Sequence, residues 1–118
     1  MPLTLVSRMK KMGNFNKLTP EETERLAILS EECAEVIQCI GKIQRHGYES
    51  FNPSNVDIGT NRDQLTKELG HLQNIINMMS IGGDFKYHVM VREQKKKRET
   101  ISKYLHHQPP AILAELIG

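Results

Sequence analysis

The sequence predicts an all-α protein, a bundle of four to five helices in a single domain spanning residues 1–118. Three observations point there. Apolar residues recur at three- and four-residue spacing in two long stretches. Turn formers gather between and after those stretches, at residues 47–60 and at Gly82-Gly83. No segment alternates apolar and polar residues as a half-buried strand would.

Residues 1–18 are weakly patterned, and Leu3, Leu5, Val6 and Met9 suit a short helix docking on the body. Thr19-Pro20-Glu21-Glu22 is a helix start: Thr19 caps, Pro20 fits the first helical position, and Glu22 completes a capping box. Leu26, Leu29, Cys33, Val36, Ile37 and Ile40 follow at helical spacing as the expected apolar stripe. The helix should run to Arg45 or His46, with Gly47 as its stop. Residues 47–60 hold turn formers and no helical period, a long loop of the kind that often carries function. Thr60 or Asn61 opens a second helix with Leu65, Leu69, Leu72, Ile76 and Met79 as its stripe, ended by Gly82-Gly83. Asp84 is the expected cap of a third helix from Phe85 to His106. Its Lys/Arg run sits in the later turns, where cations suit the helix dipole. Pro109-Pro110 breaks the chain before a short helix, Ala111 to Ile117, expected to pack back on the bundle.

The bulk composition bounds the function. Of 118 residues, 38% are hydrophobic and 25% charged, ordinary for a soluble protein. A net charge of +2 is too mild to imply nucleic acid. The single run Arg92, Lys95, Lys96, Lys97, Arg98 has no interleaved aromatics, so no nucleic-acid partner is expected. No apolar run approaches the ~20 residues that span a bilayer. The first residues run apolar then basic, the reverse of a secretory signal. These absences give a cytoplasmic, membrane-free expectation. Cys33 and Cys39 stand six apart, about 600° of helical rotation, so a bridge between them is implausible. Both read as reduced packing residues. A chain this short buries a thin core, and its helical faces point to an oligomer.

Chemistry concentrates in two motifs. Glu31-Glu32-x-x-Glu35 lies on the first helix and Glu68-x-x-His71 on the second. Residues three apart share a helix face, so Glu32 projects with Glu35 and Glu68 with His71. Each pair sits in a row flanked by apolar residues: Ile28, Glu32, Glu35, Cys39 on one helix and Glu68, His71, Ile75, Met78 on the other. Carboxylates crowded in such a row are costly, and a bound cation relieves the cost. The arrangement reads as a metal site between two antiparallel helices. Mg²⁺ suits the oxygen donors, with waters completing its shell. The pattern alone leaves a second reading open, a solvated acidic face near a helix start.

The stretch Leu29-Ser-Glu31-Glu32-Cys-Ala-Glu35-Val-Ile resembles the Glu-Glu-x-x-Glu motif of the MazG-like all-α nucleoside triphosphate pyrophosphohydrolases. Lys67-Glu68-Leu-Gly-His71-Leu stands where that superfamily has Glu-x-x-Asp. The likeness covers residues 20–107, and the Arg45-His46-Gly47 turn with its long loop looks like the short phage and bacterial members. The resemblance implies Mg²⁺ ligation by Glu32, Glu35 and Glu68, with Glu31 supporting a ligand or orienting water. It implies hydrolysis of an NTP or dNTP to the nucleoside monophosphate and pyrophosphate. It also implies a homodimer or homotetramer with sites completed across subunits.

His71 departs from the pattern, because imidazole suits Mn, Fe or Zn better than Mg²⁺. Three outcomes follow: three carboxylates suffice with His71 outside, the site prefers a softer metal such as Mn²⁺ with His71 as a ligand, or the protein binds nucleotide and hydrolyses it poorly. The last would make it a catalytically impaired regulator. Lys95 with Arg98, or Lys96 with Arg92, are the candidates for triphosphate contacts. Asn74, Asn77, Tyr48, Phe51, Asn52, Tyr87 and Tyr104 are candidates for the base, although aromatics at such positions more often pack.

Overall fold

In a computed structural model of the chain, which describes residues 15–118, the protein is helical throughout. Four α-helices run in order: α1 (Pro20–His46), α2 (Asn61–Ile81), α3 (Tyr87–Thr100) and α4 (Pro110–Ile117). Two 3₁₀ turns, Val56–Ile58 and Ile101–Tyr104, lie between them. The expected N-terminal helix around Leu3, Leu5, Val6 and Met9 lies outside the described residues. No helix among the described residues is long and apolar enough to cross a membrane. The chain forms two compact units, one ending at Gly82 and the other Gly83–Gly118.

The first unit is an antiparallel hairpin of α1 and α2, and both helices begin as their sequences dictate. The Thr19 hydroxyl accepts from the Glu22 N–H at 3.1 Å, and Glu22 Oε1 accepts from the Thr19 N–H at 2.9 Å. Thr60 and Asp63 repeat the arrangement at the start of α2, at 3.1 and 3.0 Å. Each reciprocal pair satisfies two amides that helix geometry leaves orphaned. Gly47 ends α1 with φ 87°, and its N–H donates to the Ile43 carbonyl. At the opposite end, Arg25 of α1 lies against Gly82: a Cβ there would stand 2.9 Å from the guanidinium carbon.

The loop between these helices is tied to α2. The Asn61 and Arg62 N–H groups donate to the carbonyls of Ser50 and Tyr48. The buried Asn61 side chain donates to the Gly47 carbonyl at 3.0 Å. Arg62 Nε bonds Glu49 at 2.6 Å while its guanidinium sits 4.2 Å from the Tyr48 ring centre. Phe51 and Thr60 form an isolated antiparallel bridge. What the sequence marks only as a long loop is held by several backbone and side-chain ties to the start of α2.

The face each helix turns inward matches the expected stripe only in part: Met79 is buried and Leu29, Val36, Leu65, Leu72 and Ile76 are half-buried. Buried positions are Cys39 on α1 and Asn61, Glu68, Ile75 and Met79 on α2, with Ile75 only 1% exposed. These belong to or adjoin the rows that carry the acids. Leu26, Cys33, Ile37 and Ile40 of the expected stripe are exposed, Ile37 at 68%. Leu69 on α2 is exposed as well. Cys33 is therefore corrected from a packing residue to an exposed one, while Cys39 is buried and both thiols are free. The reason is rotational. Leu26, Cys33, Ile37 and Ile40 stand about 80–140° around α1 from Glu32, and Leu69 and Ile76 about 80–100° around α2 from Glu68. In an antiparallel pair these offsets fall on one side, giving the hairpin an apolar flank beside its interface.

The second unit also departs from expectation. α3 begins at Tyr87, with Lys86 rather than Asp84 at the capping position and no side-chain cap bond. It ends at Thr100 and tightens into the 3₁₀ turn rather than running to His106. The side chain of Thr100 contributes by accepting no role in a cap: its hydroxyl bonds back to the Lys96 carbonyl at 3.1 Å, a contact that competes with regular helix geometry. α4 begins at Pro110, one residue before the expected start, and packs against α3 within the second unit.

Candidate metal centre

Two helices facing each other bring Glu32, Glu68 and His71 together. One ligand atom from each lies within 4.8 Å of the others. His71 Nδ1 stands 3.4 Å from Glu68 Oε2 and 3.8 Å from Glu32 Oε2. Glu68 is buried at 9% exposure, and its other oxygen is 3.7 Å from Lys67 Nζ. Glu32 is half-buried, yet its Oε2 is fully enclosed and has no hydrogen-bond partner. A carboxylate oxygen out of reach of water and without a donor is costly. It is the observation that asks for a positive charge at this point.

The donor set fits a divalent cation. Two carboxylates and one imidazole offer oxygen and nitrogen ligands on adjacent helices. His71 is half exposed at the edge of the cluster, which leaves one side open to solvent. Cys39 lies nearby. Its burial, then the charge of Glu68, pushes its thiol above the ordinary value, so it stays protonated beside the cluster.

The other sequence candidates are placed as follows. Glu35 is half-buried one turn beyond Glu32 and is not part of the 4.8 Å grouping. Glu31 is exposed on α1, and Asn74 is exposed on α2. Asn77 accepts a hydrogen bond from Gln73 at 2.8 Å. Arg92, Lys95 and Lys96 are exposed on α3, Lys96 lying 3.4 Å from Glu93. Arg98 is half-buried in a groove of about 280 Å³ that Gln94, Lys97, Ile101 and Leu116 also line. Of the aromatic candidates, Tyr48 is covered by Arg62, and Tyr104 has Lys97 Nζ 5.9 Å from its ring centre. Comparison with protein-family models, curated proteins and solved structures finds no match for this chain.

Proposed function

We propose that this protein is a metal-dependent hydrolase that converts an NTP or dNTP to the nucleoside monophosphate and pyrophosphate. The enclosed, unpartnered oxygen of Glu32 facing Glu68 and His71 carries this reading. The resemblance of Glu31-Glu32-x-x-Glu35 and Glu68-x-x-His71 to the MazG-like motifs supplies the reaction. Glu32, Glu68 and His71 would hold Mg²⁺ or Mn²⁺, with Glu35 as a further ligand, and the imidazole favours Mn²⁺. Such an ion supplies countercharge to phosphate oxygens and an acidified water. Glu31 would support a ligand or orient water. Arg92, Lys95, Lys96 and Arg98 are the phosphate-binding candidates of α3, and Asn74 a candidate for substrate contact.

The apolar flank of the hairpin supports a homodimer or homotetramer, in which a second copy covers Leu26, Ile37, Ile40 and Leu69. The setting is cytoplasmic, with a nucleoside triphosphate as the small-molecule partner and neither membrane nor nucleic acid involved. His71 favours one second reading, a nucleotide-binding regulator with impaired catalysis, because the imidazole removes a negative charge from the cluster.

Pyrophosphate release from a panel of NTPs and dNTPs, with Mg²⁺ and with Mn²⁺, tests both. Metal-dependent release that falls in Glu68→Gln supports the enzyme. Nucleotide binding without release under either metal supports the regulator.

A further inference from the structure

The loop that joins α1 to α2 roofs a second site. Beneath it lies a cavity of about 380 Å³, within the size range of small-molecule pockets. The last turns of α1 contribute Lys42, Arg45 and His46, the loop Phe51 and Asn52, and α2 Gln64. No acidic residue lines it.

The charge balance around this cavity is one-sided. Glu49 is engaged by Arg62 and Asp63 by the Thr60 amide, while Asp57 of the loop is exposed and does not line the cavity. The side chains of Lys42, Arg45 and His46 have no ion pair or hydrogen bond among the described residues. Cations at a helix C-terminus are favoured by the dipole, but that alone does not gather three of them around a hollow with an aromatic wall. Phe51 is held by its backbone bridge to Thr60 while 54% of the residue stays exposed. The first amides of α2 are already occupied by Ser50, Tyr48 and the Thr60 hydroxyl, so an anion here is held by side chains. The loop ties described above preorganise the cavity, which lowers the cost of binding.

We propose that this cavity binds a nucleoside phosphate without metal, its phosphate on Lys42, Arg45 and His46 and its ring against Phe51. Arg and Lys supply charge-assisted bonds to phosphate oxygens. Stacking on an exposed aromatic is available to every base, and the amides of Asn52 and Gln64 can meet its edge. Gln64 stands one helical turn from Glu68, so the cavity adjoins the acid–histidine cluster but shares none of its residues. The site therefore goes beyond the hydrolase reading and can stand or fall separately.

Calorimetric titration of ATP, AMP and pyrophosphate into the full chain, all in EDTA, tests it. All three should bind. Lys42→Gln and Arg45→Gln should each weaken binding about tenfold to a hundredfold. Phe51→Ala should weaken the nucleotides and leave pyrophosphate unchanged. Glu68→Gln should alter none of them, which separates this site from the cluster. Circular dichroism checks the fold of each variant, and a steep loss of affinity with added salt provides a readout on the unmodified chain. Absence of binding in EDTA, indifference to the Lys42→Gln/Arg45→Gln double variant, or loss of binding in Glu68→Gln would each overturn the proposal. Equal effects of Phe51→Ala on nucleotides and pyrophosphate would overturn the stacking role.

Discussion

His71 Nδ1 lies 3.8 Å from Glu32 Oε2, an enclosed oxygen that receives no hydrogen bond. On the proposed metal-site reading, divalent cations bind at that pairing. Added Mn²⁺ or Mg²⁺ should raise the melting temperature, because a ligand that binds only the folded state stabilises it, by about 2.7 kcal/mol at a hundred times Kd. Glu32→Gln and Glu68→Gln should abolish the rise and cut pyrophosphate release by roughly a hundredfold or more, above the usual cost of losing an outer-shell partner. Both should still fold. Full activity in either variant would remove the assigned site.

Replacing the odd donor probes metal preference. His71→Asp gives the cluster oxygen ligands only, which suits Mg²⁺. Release with Mg²⁺ should hold or rise. A large fall would give His71 a role of its own.

The two thiols should react differently. Cys33 is exposed and Cys39 is buried, with its thiol held protonated by burial and by Glu68. A thiol-specific reagent at neutral pH should label one site per native chain and two per unfolded chain, with peptide mapping placing the first label on Cys33. Rapid native labelling of Cys39 would contradict its burial.

The cap of α2 gives a pH prediction. The Thr60 backbone and hydroxyl hold the Asp63 carboxyl below its ordinary 3.8. A depressed folded-state value means the contribution is complete above the unfolded value and is lost as pH falls through the folded one. Wild type should therefore lose more stability on acidification below pH 4 than Asp63→Asn does. Thr60→Ala should cost about 1 kcal/mol in denaturant unfolding at neutral pH.

Gly59 is tied to the same cap. Its φ is 78°, and a Cβ there would come within 2.6 Å of the Asp63 carboxylate. Gly59→Ala should destabilise the hairpin by more than about 1 kcal/mol, since strain adds to a damaged cap. An unchanged unfolding midpoint would show that the turn relaxes freely.

The first two helices were legible almost to the residue, because Thr19-x-x-Glu22, Thr60-x-x-Asp63 and Gly47 act locally. The cluster residues were legible too, since spacing alone puts Glu32, Glu68 and His71 on rows flanked by apolar side chains. Which rows face inward was legible only in part: Met79 of the expected stripe is buried, while Leu26, Ile37, Ile40 and Leu69 are exposed. Each helix carries two apolar stripes, and periodicity cannot say which one its neighbour covers. The end of α3 was hidden for a similar reason: nothing in Thr100 to Tyr104 breaks a helix outright, yet the chain tightens into a 3₁₀ turn there. Arg45 and His46 stand in the sequence only as the end of a helix and Lys42 carries no motif, and only the folded loop shows that the three surround a hollow.

The apolar flank has a thermodynamic consequence. The buried hydrophobic residues among those described are Cys39, Ile75 and Met79, a small reserve for holding two long helices together. Whatever covers Leu26, Ile37, Ile40 and Leu69 adds to that reserve by mass action. With a second copy as the cover, folding and association become one equilibrium. The melting temperature then climbs with protein concentration, and dilution alone loosens the hairpin that aligns Glu32 with Glu68.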